Sequence, residues 1–295
     1  MNETVVKIEG LTYFHSKQKK GLDNVSLKLE KGKVYGLWGR NGAGKTTLMK
    51  VLAGFFRPDE GCVQLFSEQP FENRNVLKRI CFIQENHPMN PAWKIKDVLG
   101  VAAHFYPNWD KELAIHSLNA FSLNESQRVK SLSKGMKTAV ALTVGLASRA
   151  ELTVFDEPTN GLDAAVREVF YDLLLSELEE GDRTILLSTH FIQELQSVIE
   201  EMIVMDNGKL TLQKSIETIR DGAVYVTGSM KELGGYLTHA DVLETKTLGP
   251  TVSLLVEKDS ELWEELQYFD SMKEVPSLQD YLLRKTDRKK EGVGA

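Results

Sequence analysis

Residues 39–47 read GRNGAGKTT, and this stretch decides the fold of the 295-residue chain. It follows the apolar run 34–38 and precedes residues 48–52, whose apolar side chains have helical spacing. A strand, a glycine-rich turn and a helix therefore occur in the order that the pattern Gly-x4-Gly-Lys-Thr requires. Such a turn directs backbone N–H groups and the positive end of the helix dipole toward an anion. The stretch predicts a phosphate-binding loop on an α/β fold.

Side chains suited to phosphate chemistry stand in this loop and after a second apolar run, 152–155. Lys45 is placed to reach terminal phosphates, and Thr46 to offer its hydroxyl to Mg2+. Asp156 and Glu157 come where ligands bind in open parallel sheets, at the carboxyl end of a strand. A carboxylate at Asp156 suits Mg2+. Glu157 is placed to polarise a water molecule in line with the γ-phosphate.

Two further polar residues follow apolar runs. His190 comes after residues 184–187 and is placed to hydrogen-bond a γ-phosphate, and Gln84 ends the run 80–83 with an amide that donates and accepts. The runs before Glu157 and His190 do not alternate, which indicates parallel strands buried on both faces. Residues 164–179 between them have the pattern of an amphipathic crossover helix.

A second candidate anion site is the stretch LSKGM at 132–136, which opens the helical segment 138–148. Ser133 is a good N-cap, and Gly135 lets an anion approach backbone N–H groups closely. Taken alone, this stretch favours a simple helix cap over a binding site.

Net charge, cysteine spacing and the length of the apolar runs argue against several classes of protein. The net charge of −6 argues against a general nucleic-acid binder, which usually carries a basic footprint. Cys62 and Cys81 lack zinc-like spacing and fit a reducing compartment. The first residues lack the pattern of an export signal, and no run reaches the roughly 20 apolar residues that cross a bilayer. If the protein acts at a membrane, we expect another chain to span it.

The first domain is predicted over 1–213, with an antiparallel layer at its start. Alternating strands at 4–9 and 25–30 flank a polar, hairpin-like loop at 15–21, and a short strand follows at 62–66. A helical insertion is expected at about 86–130, where Pro107 separates two amphipathic helices.

A small α/β domain is predicted over 214–295. It begins after Asp206-Asn207-Gly208, a hairpin-turn signal. Weak helices are expected near Met230 and Glu261, and the basic end 284–290 is expected to be a solvated, frayed tail. Its short strands are expected at 223–227, 242–246 and 251–257.

Together these stretches resemble the ATP-binding subunits of ABC transporters, over residues of about 3–215. The motifs that carry the resemblance are Walker A at 39–46, the Q-loop at Gln84, the signature at 132–136, Walker B ending in Asp156-Glu157, the D-loop at 160–163 and the H-loop at His190. The resemblance implies a P-loop NTPase core with a mostly parallel sheet, and ATP and Mg2+ as cofactors.

The resemblance also implies how the motifs act together. Each ATP would lie between Walker A of one subunit and the signature of another, in a head-to-tail dimer of identical or paralogous subunits. Glu157 would be the general base, His190 the γ-phosphate contact, and Gln84 the link between the nucleotide and the helical insertion. The insertion would dock a membrane-spanning permease at the cytoplasmic face of the membrane, with Phe105, Tyr106 and Trp109 as candidate contacts.

The site expected from the resemblance draws on all these motifs. Its catalytic residues are Glu157, His190, Lys45 and Gln84. Its Mg2+ ligands are Thr46, Gln84 and Asp156. Its nucleotide contacts are Phe14, Gly39, Arg40, Asn41, Gly42, Ala43, Gly44, Lys45, Thr46, Thr47, Gln84, Ser133, Gly135 and Asp156.

Three features depart from the family pattern or leave it open. Arg40 stands where the family usually has proline. The signature reads LSKGM instead of LSGGQ, so that Lys134 adds a positive charge and Met136 lacks the hydrogen bonds of a glutamine. The ring that stacks on adenine is expected at Phe14, with Tyr13 and His15 as alternatives.

The signature and residues 276–282 resemble the branch with many bacterial export and multidrug-type subunits, so export of a small molecule, drug, lipid or peptide is expected. Import is the alternative within the family. A soluble ATPase of the same type acting on ribosomes or DNA is the rival, although the chain has one Walker A and no long coiled coil. A P-loop kinase is less consistent with the signature and His190.

Overall fold

The computed structural model describes residues 3–86, 88–179, 183–190, 192–269 and 271–291. The chain divides into two compact units, residues 1–190 with 197–213 and residues 191–196 with 214–295. The segment 191–196 groups with the second unit, whereas the sequence prediction leaves it in the first.

The strands up to residue 215 are β1 (Thr4–Ser16), β2 (Lys19–Glu30), β3 (Val34–Trp38), β4 (Glu60–Leu65), β5 (Ile80–Ile83), β6 (Leu152–Phe155), β7 (Thr184–Thr189), β8 (Glu201–Asp206) and β9 (Lys209–Ser215). The helices before residue 200 are α1 (Lys45–Leu52), α2 (Arg74–Leu77), α3 (Ile95–Phe105), α4 (Lys111–Ala120), α5 (Lys134–Ala147), α6 (Ala164–Glu179) and α7 (Ile192–Leu195).

The antiparallel layer has the strand order β2-β1-β4, which confirms the sequence prediction. The predicted hairpin at 15–21 is confirmed by the antiparallel pair of β1 and β2, but its loop is shorter than predicted, because β1 runs to Ser16 and β2 begins at Lys19. Residues 16–20 are exposed in this hairpin. Polar side chains are therefore compatible with strand pairing there, and their polarity does not mark a loop.

The larger sheet has the order β5-β6-β7-β3-β8-β9. Strand β3 pairs in parallel with β7 and β8, and β6 pairs in parallel with β5 and β7. All side chains of β3, β6 and β7 are buried, as expected for parallel strands covered on both faces. The carboxyl ends of β3, β7, β6 and β5 therefore lie next to one another, in that order, at one edge of the sheet.

Helix α1 packs against both sheets in one hydrophobic core. Its Leu48 and Leu52 are fully buried in the same apolar cluster as Leu22 of the antiparallel layer and Val154 of the parallel sheet. Burying a leucine side chain stabilises the fold by about 1.5–3 kcal/mol. This packing fixes the start of α1, and with it the glycine-rich turn that precedes the helix.

The helical insertion contains α3 and α4, with Pro107 between them as predicted. Asp110 caps α4 by accepting a hydrogen bond from the Leu113 N–H at 2.9 Å. Helix α5 follows a 3-10 turn at Val129–Ser131 and begins at Lys134, four residues before the predicted start. The earlier start follows from Ser133, whose hydroxyl accepts from the Met136 N–H at 3.2 Å.

The second unit contains α8 (Ile216–Arg220), β10 (Ala223–Ser229), α9 (Met230–Leu233), β11 (Val242–Leu248), β12 (Thr251–Glu257), α10 (Glu261–Leu266), β13 (Met272–Glu274) and α11 (Leu278–Glu291). Its sheet has the order β11-β12-β10-β13 with antiparallel pairs, which is a split β-α-β-β-α-β arrangement. Leu233 of α9 and Leu266 of α10 pack on the same face of this sheet.

The expectation of a frayed tail at 284–290 is wrong, because α11 is helical to Glu291. Arg284 pairs with Glu244 at 2.8 Å, and Lys285 pairs with Glu257. These acidic partners lie on β11 and β12, far from the tail in sequence, so composition alone did not reveal them.

Candidate functional site

The glycine-rich turn leads directly into α1 at the end of β3. Gly42 and Gly44 have positive φ angles of 83° and 103°, which glycine adopts without strain. A side chain at Gly39 would place its Cβ 2.5 Å from the carbonyl oxygen of Met205. The turn therefore requires glycine at these positions. A cavity of about 740 Å³ opens above it.

The structure brings most of the predicted nucleotide contacts to this cavity. Its lining includes Arg40, Asn41, Gly42, Ala43, Gly44, Lys45, Thr46 and Thr47. Gly39 contributes its carbonyl oxygen, which accepts a hydrogen bond from Lys45 Nζ at 2.6 Å. Lys45 is only 7% exposed, so its ammonium group is held at the base of the cavity.

Asp156 lies beside Thr46 at the end of β6. Its Oδ2 atom accepts from the Thr46 hydroxyl at 2.8 Å, and its Oδ1 atom accepts from the Ser188 hydroxyl at 2.7 Å. Burial raises the pKa of Asp156, while the hydrogen bonds from Ser188 and Thr46 oppose that rise. A buried carboxylate next to a hydroxyl is the kind of hard oxygen pair that Mg2+ accepts, with phosphate and water completing its shell.

Glu157 is fixed from three directions. Its Oε2 atom accepts from His190 Nδ1 at 2.7 Å, and its Oε1 atom lies 3.4 Å from Lys45 Nζ. Its backbone N–H donates to the Ser188 hydroxyl at 2.8 Å. The residue has a φ of 49°, a conformation that costs energy for a side chain of this size and is typical of functional sites. Glu157, His190 and Lys45 therefore meet at the cavity, as the sequence predicts.

Ser188 is a site residue that the sequence reasoning missed. Its hydroxyl accepts from Glu157 and donates to Asp156, so it links the two acidic residues. The signal was its position in β7, the strand that pairs with β6 and ends at the same edge.

Of the three candidate adenine rings, His15 lines the cavity. Its Nε2 atom lies 3.2 Å from the Thr47 hydroxyl oxygen. The Tyr13 ring stacks on Phe56 with a centroid distance of 4.9 Å. Phe14, the ring that the sequence favours, is half-buried and is not brought to the cavity wall.

Gln84 is half-buried immediately after β5, and its neighbour Glu85 lines the cavity instead. The Glu85 carboxylate accepts a hydrogen bond from the Asn160 amide at 2.6 Å. Neither Glu85 nor the contact of Asn160 with it was predicted from the sequence.

Ser133 and Gly135 lie outside the cavity formed by their own chain. A Cβ atom on Gly135 would lie 3.7 Å from the carbonyl oxygen of Gly161. The start of α5 therefore lies against the D-loop at 160–163, and the two motifs share one surface.

Within the described residues, no cluster of three or more His, Cys, Asp or Glu side chains has the arrangement of a metal site. None of the described helices is both long and apolar enough to span a bilayer.

Known proteins are similar to this chain in sequence and in fold. A family model described as ABC transporter matches residues 22–160. The chain is 31% identical over 214 residues to the Nod factor export ATP-binding protein I of Burkholderia thailandensis, a match covering 69% of this chain and 68% of that protein. It is 31% identical over 217 residues to the bacitracin transport ATP-binding protein BcrA of Bacillus licheniformis, covering 70% and 68%.

A solved dimeric ATP-binding cassette, in a post-hydrolysis state bound to ADP and Pi, has the same fold. It superposes with a TM-score of 0.64 at 23% identity, over 72% of this chain and 98% of that one. The resemblance read from the six motifs is confirmed by these matches. With its phosphate-binding turn, its paired acids and these relatives, the chain belongs to the ATP-binding subunits of ABC transporters, and its activity is the hydrolysis of ATP.

Proposed function

We propose that this ATPase drives a separate membrane-spanning subunit at the cytoplasmic face of the membrane, and that the transport is export. The observation that carries the proposal is the meeting of Lys45, Glu157 and His190 above the phosphate-binding turn. A group that binds phosphate and a candidate general base are held in one site, as hydrolysis of ATP requires. The names of the relatives described above support the link to transport.

The roles of the residues follow from their positions. Lys45 would hold the terminal phosphates, and the N–H groups from Gly42 to Thr46 would hold the others. Thr46 and Asp156 would hold Mg2+, with Gln84 as the further ligand that the sequence suggests. When bound, the ion would neutralise charge on the phosphates.

Glu157 would take the proton of the attacking water onto a carboxylate oxygen. Oε2 accepts from His190, and Oε1, which lies 3.4 Å from Lys45 Nζ, would accept that proton while Lys45 binds the terminal phosphates. The imidazole holds the carboxylate in place and would contact the γ-phosphate. Removal of the proton and placement of the water are the two tasks that phosphoryl transfer leaves to the protein.

A second subunit is needed to complete the site. Ser133 and Gly135 lie outside the cavity of their own chain, so they would act on the nucleotide of another copy or a paralogue. A head-to-tail dimer places the start of α5 of one subunit over the cavity of the other. A dimeric ATP-binding cassette of the same fold supports the pairing of two subunits.

His15 is the proposed adenine-stacking residue, ahead of Phe14 and Tyr13, because its ring lines the cavity. A flat ring whose Nε2 atom lies 3.2 Å from the Thr47 hydroxyl would cover the adenine base while the turn holds the phosphates.

The helical insertion is the proposed docking surface for the membrane-spanning subunit. Phe105 is 66% exposed, and Trp93 and Val101 line the same groove. Tyr106 is half-buried, and desolvation there raises the pKa of its hydroxyl, so it is a weaker candidate contact. Trp109 is also half-buried.

Export is proposed over import because one of the relatives described above is named for Nod factor export. The LSKGM signature agrees with that branch. The proposed cargo is a small molecule, drug, lipid or peptide. Nucleic acid is not expected as a partner.

The test is affinity purification of tagged Glu157→Gln protein, with Mg2+ and ATP, from detergent-solubilised membranes of its host. We expect a multi-spanning protein at a fixed ratio to the tagged chain. The control is the same variant with Lys45→Ala, which tests whether the ratio depends on bound ATP. Recovery with ribosomes or DNA, or with no membrane protein, would contradict the proposal.

A further inference from the structure

We propose that Glu85 is a positioning residue for the turn that carries Glu157, an inference that rests on the proposed role of Glu157 as the base. Glu85 acts through the side chain of Asn160. Together they form a link across the sheet edge, between the segment after β5 and the segment after β6.

Strand pairing explains why the two segments are neighbours. Ile83 is opposite Phe155 in the parallel pair of β5 and β6. The Asp156 N–H donates to the Ile83 carbonyl oxygen at 2.8 Å, which continues the ladder by one residue. The residues that follow each strand therefore leave the sheet side by side.

Asn160 closes the turn onto Glu157. Its backbone N–H donates to the carbonyl oxygen of Glu157 at 3.1 Å, and its side-chain amide donates to Glu85 Oε1 at 2.6 Å. Glu85 is thus connected to the turn of the general base through one residue. Because Glu157 has a strained φ of 49°, its turn needs such external contacts to stay in place.

The charge of Glu85 is otherwise hard to explain. Glu85 and Glu157 both line the cavity, which the proposed function assigns to the triphosphate of ATP. Like charges at close range repel, so a carboxylate at residue 85 opposes nucleotide binding. A hydrogen bond to a charged acceptor is about twice as strong as a neutral one, which gives the carboxylate a structural reason to be there.

The experiment compares ATP hydrolysis and ATP binding in Glu85→Ala, Glu85→Gln, Asn160→Ala and the double alanine variant. Glutamine keeps an oxygen that accepts from Asn160, whereas alanine removes it. We expect Glu85→Ala and Asn160→Ala each to lower kcat about tenfold, less than the ~10²-fold loss for a 1 Å misplacement. The ATP affinity of the two alanine variants should be unchanged or higher. Glu85→Gln should keep most of the activity. The kcat of the double alanine variant should be no lower than that of either single variant.

Glu125→Ala is the matched control, because Glu125 is an exposed acid elsewhere in the first unit. Thermal melting shows whether each variant is folded. Equal kcat in folded Glu85→Ala and wild type would overturn the inference, and so would multiplicative losses in the double variant. A chain that hydrolyses ATP but recruits no membrane protein would contradict the proposed transport function and leave the Glu85 result intact.

Discussion

His190 Nδ1 donates to Glu157 Oε2 at 2.7 Å, across the boundary between β7 and β6. The two residues follow neighbouring parallel strands, so the sheet sets the distance between them. Lys45 Nζ lies 3.4 Å from the other oxygen of the same carboxylate. The candidate base is therefore held between an imidazole and an ammonium group.

This contact predicts that Glu157 and His190 act as one unit. We expect Glu157→Gln to slow hydrolysis by about 10²- to 10⁴-fold, the usual contribution of a general base. His190→Ala should also slow it, because the carboxylate loses its orienting donor. The double variant should be much less impaired than the product of the single losses. Single-turnover hydrolysis measures all three, and independent, multiplicative losses would show that the residues act separately.

Lys45→Ala should lose nucleotide binding, because its ammonium is the buried cation at the base of the cavity. Titration with a fluorescent ATP analogue measures the effect. Lys111→Ala is the control, since Lys111 is an exposed lysine at the first position of α4. Wild-type affinity in Lys45→Ala would remove the assignment of this turn as the phosphate site.

Asp156→Asn should stabilise the nucleotide-free protein at neutral pH while abolishing turnover with Mg2+. Burial raises the pKa of Asp156, so the folded state binds the proton more tightly than the unfolded chain does. The ionised carboxylate therefore lowers the free energy of unfolding at a pH above the raised pKa of Asp156. This cost disappears as the pH falls and the carboxylate takes up a proton. Asparagine carries no charge and does not have this cost.

The measurement is the difference in free energy of unfolding between Asp156→Asn and wild type, from urea titrations without Mg2+ or ATP. The difference should favour the variant at neutral pH and shrink as the pH is lowered. Taking the difference cancels the other titrating groups. A variant that is less stable at neutral pH would contradict the prediction.

Arg183 should be needed for the stability of the first unit. Its guanidinium donates to the carbonyl oxygens of Gly145 and Leu146, at 2.9 and 2.7 Å, in the last turn of α5. It also pairs with the buried Glu177 at 3.4 Å. Arg183→Met leaves these carbonyls without that donor and leaves Glu177 with Arg149 at 2.9 Å.

We expect Arg183→Met to lower the free energy of unfolding by about 1–3 kcal/mol, the cost of leaving buried carbonyl acceptors without a donor. Urea unfolding followed by tryptophan fluorescence measures it. Arg128→Met, at an exposed arginine, should change it by no more than about 0.5 kcal/mol. A similar small change in both variants would show that the Arg183 network contributes little.

The sequence predicted best where a local pattern fixes an element or where parallel strands end at the same edge of the sheet. Strands β3, β5 and β6 and helix α6 have the bounds that the apolar runs and the helical period indicate. Lys45 and Thr46 were predictable because the glycine pattern fixes them on the same turn. Asp156 and His190 were predictable because parallel strands end at one edge.

What the sequence did not predict depends on pairing between distant segments. Glu85 and Asn160 are 75 residues apart, and neither has a spacing that marks the contact between them. The ion pairs of Arg284 and Lys285 likewise depend on where β11 and β12 lie. His15 differs from Phe14 by one position, and the β1–β2 hairpin decides which ring lines the cavity.

The most direct test of the account is the molar mass of Glu157→Gln in solution, measured by light scattering with and without Mg2+ and ATP. The account predicts a monomer without ATP and a dimer with it, because slow hydrolysis traps two nucleotides between phosphate-binding turns and signatures. Adding Lys45→Ala to the same chain should abolish the dimer. A monomer at saturating ATP, with normal hydrolysis by the wild-type chain, would contradict the shared site.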